Sequence, residues 1–156
     1  MAMLMGKLAH QADLIEALTD AAGANGVRAG AVQVVGALQK AKLGFYDQWR
    51  KAYRELPFER PMEIVSGMGN VSLRDGKPFI HLHLALSDDE GKVFGGHALG
   101  GCTIFAAEFS IMPLPGEAPV RVFDETTGLY LWERAIYPTE ASGEISPELA
   151  RALLQP

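Results

Sequence analysis

Apolar and polar residues alternate in short runs along most of the 156-residue chain, and two stretches switch to helical spacing. The first is HQADLIEALTDAAGANG, where Leu14, Ala17, Leu18 and Ala21 fall on one helical face among good helix formers. It predicts a helix over about residues 11–23, stopped by GANG, whose Gly and Asn tolerate left-handed backbone. The second is SPELARALLQ near the C-terminus, with Ser146 as a cap and Pro147 at the first helical position.

The remaining runs read as strands. Met1–Leu8 is a candidate first strand at a sheet edge. In VRAGAVQVVGALQKAKLGFYD, Val32, Val34 and Val35 favour sheet, while Gly30 and Gly36 mark bends or close backbone approaches, giving strand, break, strand. QWRKAYRELPFERP has no decisive period and fits either a strand around Ala52–Glu55 or a helical turn. MEIVSGMGNVSL reads as a strand that bends at Gly67–Gly69; RDGKP is a turn; FIHLHLALS, KVFGGHAL and CTIFAAEFSIMPL are further strands, and VRVFDETTGLYLW holds a last one. Many strands and one main N-terminal helix, with no βαβ alternation, predict a single α+β domain with a mostly antiparallel sheet.

Composition narrows the class. An apolar fraction of 48% supplies a core without disulfides, and the single cysteine, Cys102, excludes a disulfide framework and a Cys-rich metal site. A reducing cytoplasmic location is the expectation. A net charge of -5 argues against duplex DNA as a partner. No apolar run is long enough for a membrane span, and MAMLMGKLAH lacks the long apolar core of a signal peptide.

The candidate chemistry is concentrated in FIHLHLALSDDEGKVFGGH, which carries three of the four histidines. In a strand His81 and His83 share one face with Phe79, while Ile80, Leu82 and Leu84 point to the core. DDEG fits a three-residue hairpin loop of Asp89, Glu90 and Gly91, with Gly91 left-handed and Asp88 paired to Lys92. That register sets His83 opposite His97, with His81 diagonal to it, at Cβ separations of about 5 Å and about 7–8 Å. A two-residue turn, or a bulge at Gly95–Gly96, would put His97 on the other face. Three imidazoles on one face suit zinc or another divalent transition metal, with an open position for water or substrate. A metal-free ligand pocket and a purely structural role are the alternatives.

Glu108, within FAAEFSI, is a candidate general base or an acceptor for a histidine N–H, against the plainer reading of a solvated strand position. Glu63 carries the same plain reading. Cys102 reads as buried and structural, and Tyr46, Trp49 and Tyr53 as core or interface residues. GGHALGG is neither a phosphate loop nor a dinucleotide signature.

Over roughly residues 5–132 the chain resembles the plant and prokaryote conserved (PPC) domain family in its stand-alone prokaryotic form. The resemblance is carried by H-x-H at 81–83, D-x-G-x-V-x-GGH at 89–97, G-C-T at 101–103 and the closing FDETTGLYLW, in the family's order. It implies an α+β homotrimer in which the histidine set falls on His81, His83 and His97 and an acidic position on Glu108; residues 133–156 form an extension beyond the domain. No R-G-R-P tetrapeptide or basic extension is present, which leaves the DNA-binding label of some members without support in these residues. The expected function is a trimeric ligand-binding, regulatory or assembly protein with a histidine-lined site between strands. The alternatives are a metal-dependent enzyme using the three histidines with Glu108, and a DNA-binding regulator.

Overall fold

The computed structural model describes residues 2–137. In chain order it forms β1 (Leu4–Leu8), α1 (Leu14–Ala24), β2 (Gly30–Asp47), β3 (Ala52–Phe58), β4 (Met62–Arg74), β5 (Lys77–Ser87), β6 (Val93–Ala98), β7 (Thr103–Pro113), β8 (Arg121–Asp124) and β9 (Leu129–Trp132). The C-terminal segment read as a helix from Ser146 lies outside the described residues.

All strand pairs are antiparallel, and β1 to β7 make one sheet in the order β1-β7-β2-β4-β5-β6. β2 organises it: its first part pairs with β4 and β7, and its far end pairs with β3 and touches β6 at Leu43–Ala98 and Gly44–His97. The sheet therefore curls until its β6 edge meets the end of β2. β8 and β9 form a separate hairpin.

Two sequence expectations change in detail. β2 is one continuous strand of 18 residues, because the predicted break at Gly36 is a bulge: its register shifts between Val34 and Gly36 against β4. Gly36 has φ +136, and a Cβ there would run into the Ala106 carbonyl, so glycine serves both the backbone conformation and the close approach. In β4 the irregularity falls at Ile64–Ser66, not at Gly67–Gly69. Those two glycines instead let neighbouring strands close in, Gly67 under Val34 and Leu84 and Gly69 under the His81 carbonyl. The undecided QWRKAYRELPFERP segment contains β3.

Helix α1 begins at Leu14 because Asp13 caps it: Asp13 Oδ1 accepts from the N–H groups of Ile15 (3.0 Å) and Glu16 (3.2 Å). Asp13 Oδ2 also accepts from the Gly101 N–H at 2.6 Å, tying the helix start to the turn before β7. Leu14, Leu18 and Ala22 are fully buried along one stripe. They pack in a core with Ile80, Leu82, Leu84 and Leu86 of β5, each buried leucine contributing about 1.5–3 kcal/mol. The apolar face of β5 is thus pinned inward, and its histidine face is turned outward. Trp49, expected in core or interface, stands 97% exposed in the loop between β2 and β3.

Candidate metal centre

The register predicted for the histidine hairpin is the one observed. Gly91 has φ +76, and the N–H of Asp88 donates to the Lys92 carbonyl at 3.0 Å. Asp88 holds the loop: its Oδ1 accepts from the N–H groups of Glu90 (3.1 Å) and Lys92 (2.9 Å), and its Oδ2 from Arg60 Nη2 (3.0 Å). Burial alone would raise the Asp88 carboxyl, but these donors outweigh it and hold it below the usual range. His83 consequently pairs with His97, and the next inward-facing pair is Leu84 with Gly96.

His81, His83 and His97 each offer a ring nitrogen, and these atoms lie within 4.8 Å of one another. Ring centroids are 5.2 Å apart for His81–His83, 5.0 Å for His81–His97 and 5.5 Å for His83–His97. Tyr53 of β3 stacks on His97 at 5.1 Å and 25°, fixing the plane of that ring. Gly44 makes room for this stack, since a Cβ there would lie 2.7 Å from the Tyr53 ring.

The electrostatics favour neutral imidazoles. Burial, followed by Arg121, His97 and His83, pushes His81 down to about 4. Burial, followed by His83 and Arg121, pushes His97 down to about 4. Neutral rings keep the lone pairs that metal ligation requires. His97 Nδ1 is buried and has no hydrogen-bond partner, a polar atom left unsatisfied on one ring of the cluster. The cluster is therefore capable of coordinating a divalent metal, and its all-nitrogen donor set fits zinc and its transition-metal neighbours.

Arg121, at the start of β8, closes one side. Sequence reasoning passed over it, and nothing local in VRVFD singles it out. Its Nε donates to Ser72 Oγ (2.8 Å), Nη1 to the Tyr130 carbonyl (3.0 Å) and Nη2 to Asn70 Oδ1 (3.0 Å). Nη2 also lies 3.3 Å from His81 Nδ1, which must accept because a guanidinium only donates.

Glu108 lies elsewhere on the sheet. It sits on β7, paired with Lys7 of β1 and Val35 of β2. Two strands, β2 and β4, separate β7 from β5, a span of roughly 14 Å along the sheet. Cys102 is fully buried with its Sγ 3.5 Å from the Lys42 carbonyl, and burial pushes its thiol up, in keeping with a structural residue. Among the described residues no helix is long and apolar enough to cross a membrane.

Solved structures share this arrangement of elements. A metal-containing protein from Archaeoglobus fulgidus matches with 40% identity and a TM-score of 0.81, over 85% of this chain and 94% of that one. A plant- and prokaryote-conserved (PPC) protein from Pyrococcus horikoshii matches with 32% identity and a TM-score of 0.81, over 85% and 92% of the two chains. Among curated proteins none matches. The family model of the Plants and Prokaryotes Conserved (PCC) domain matches residues 1–115, and the chain belongs to that family.

Proposed function

We propose that the chain binds a divalent transition metal, zinc foremost, through His81, His83 and His97, and that the loaded centre serves as a ligand-binding site in a homotrimer. The observation that carries this is the convergence of three ring nitrogens within 4.8 Å of one another, on a cluster in which burial holds the His81 and His97 rings neutral. The 40% identical relative from Archaeoglobus fulgidus is described as metal-containing, which supports the same reading here.

A bound metal would supply positive charge and an open coordination position. The protein's own part is to hold the three rings on a rigid hairpin and to fix His97 by stacking. Trimer formation is supported by the outer sheet face, where Met5 of β1, Val35 of β2 and Met68 of β4 are exposed. The same face carries Glu108. In this reading its role as a base requires a neighbouring copy to bring it to a histidine cluster.

Metal analysis of protein purified without added zinc tests the centre. Stoichiometric metal in the wild type, lost in His83→Ala with the fold intact, is the expected result. A wild-type protein that arrives metal-free and takes up neither zinc nor cobalt on titration overturns it. A monomeric mass in solution overturns the trimer.

A further inference from the structure

Beside the histidine cluster lies a cavity of about 310 Å³ whose walls include His81 and His97 together with Lys51, Arg74, Phe79, Arg121 and Tyr130. Three of these are cations, and among the described residues no Asp or Glu lines the cavity. Arg121 is 8% exposed and forms no ion pair with a carboxylate among the described residues; its acceptors are a hydroxyl, a carbonyl, an amide and an imidazole. Neutral acceptors satisfy its donors without cancelling its charge, and an uncancelled buried charge is costly. Lys51 donates to the Glu125 carbonyl at 2.8 Å, again a neutral partner. Arg74 stacks on Tyr130, its guanidinium carbon 3.5 Å from the ring centroid, and among the described residues its one carboxylate partner is the exposed Asp75 at 3.9 Å.

The aromatic component is as specific as the charge. Phe79 lies 5.1 Å from the Arg121 guanidinium and 5.8 Å from that of Arg74, and Tyr46 and Tyr53 complete one wall. Flat apolar faces beside guanidinium groups favour a planar ligand body carrying an oxyanion. The volume is at the lower end for small-molecule sites, which limits the ligand to about one ring. Much of this wall comes from Arg121, Tyr130 and their neighbours in the β8–β9 hairpin, after the family match ends at residue 115.

We infer that this cavity binds a small aromatic carboxylate, its oxyanion on the Arg121–Arg74 side and its ring against Phe79 and Tyr130, next to the metal centre. The inference rests on the metal reading in one respect. Arg121 Nη2–H points at the lone pair of His81 Nδ1. Metal uptake on His81 occupies Nδ1, or leaves it carrying the ring proton; either way that N–H loses its acceptor and is available to a carboxylate.

Calorimetric titration with benzoate, with neutral benzamide and with inorganic phosphate, on zinc-loaded and on chelator-stripped protein, tests this. Benzoate is expected to bind the zinc-loaded protein at least about tenfold more tightly than benzamide, which lacks the charge-assisted hydrogen bond, and than phosphate, which lacks a ring to lie against Phe79 and Tyr130. Arg74→Gln and Arg121→Gln are each expected to weaken benzoate about 10- to 100-fold while metal content stays stoichiometric. Arg74→Gln keeps the test valid should Arg121→Gln fail to fold. Equal binding of benzoate and benzamide, phosphate binding as tightly as benzoate, or no benzoate binding to zinc-loaded protein each overturns the inference. Absence of metal uptake refutes the metal centre instead, and benzoate binding to the stripped protein, abolished by Arg74→Gln, then still upholds the anion cavity.

Discussion

Gly69→Ala tests whether the site depends on how closely β4 and β5 approach. Gly69 pairs with Leu82, between the two histidines of β5. Its φ is not in the left-handed range, so alanine brings no backbone strain, only a methyl group. That methyl overlaps the His81 carbonyl oxygen and lies 2.9 Å from both the His81 carbonyl carbon and Leu82 Cα. Ordinary contact begins at 3.4 Å, so β5 must retreat by at least 0.5 Å, and by more at the carbonyl itself. The obstacle is backbone, which cannot swing aside as a flexible side chain would.

Overpacking of this kind costs about 1–3 kcal/mol. At about 2–4 °C per kcal/mol for a chain of this size, Tm falls by about 2–12 °C. Because the shift occurs at His81, zinc affinity falls by about tenfold or more, the scale seen when a ligand's support is lost. Gly100→Ala is the control, since nothing lies within 4 Å of a Cβ there. Thermal melts of stripped protein and a competitive zinc titration read both effects. If Gly69→Ala melts and binds zinc as Gly100→Ala does, the close β4–β5 approach is not what positions His81.

The hairpin loop gives a second prediction: Gly91→Ala, at φ +76 with open space around it, costs about 1–2 kcal/mol from backbone conformation alone, read as a lower denaturant midpoint with zinc stoichiometry retained. A third concerns pH. His81 and His97 are held near 4 in the folded chain, while the unfolded chain titrates them near 6.5, so the unfolded state binds more protons between those values. Stripped protein therefore loses stability as pH falls from about 6.5 to about 4, and denaturant midpoints at several pH values should show it. A His81→Gln/His97→Gln variant with an unchanged pH slope would refute that assignment.

The parts of the site that depend on local sequence were legible, and the parts that depend on distant strands were not. Alternation alone placed His81 and His83 opposite the leucine face, and DDEG set the register of His97, because Asp88 and Gly91 meet the turn's requirements within five residues. The curl of the sheet was invisible: nothing near Gly44 announces that the far end of β2 returns to His97. For the same reason Tyr53 read as core or interface rather than as the plate under His97. The glycines of β4 were visible as residues but misread as bends, since a strand glycine looks the same whether it turns the chain or admits a neighbour.

Arg121 shows how the late hairpin and the histidines become one unit. Its bonds to Ser72 and Asn70 tie β8 to β4, and its bond to the Tyr130 carbonyl ties β8 to β9. A neutral donor could meet these acceptors at a lower cost of burial, so joining the hairpin to the sheet does not by itself require a guanidinium. What distinguishes arginine is a permanent charge beside the imidazoles, two of which it helps keep neutral, and beside a cavity that no acid lines among the described residues. That charge opposes protonation of the rings and attracts an anion to the same place. It opposes an incoming cation as well, so an anion in the cavity offsets the repulsion and metal and ligand each favour the other's binding. By linkage, benzoate should tighten zinc binding by the same factor by which zinc tightens benzoate. A benzoate effect on zinc affinity that persists undiminished in Arg121→Gln would show that Arg121 does not couple the two sites.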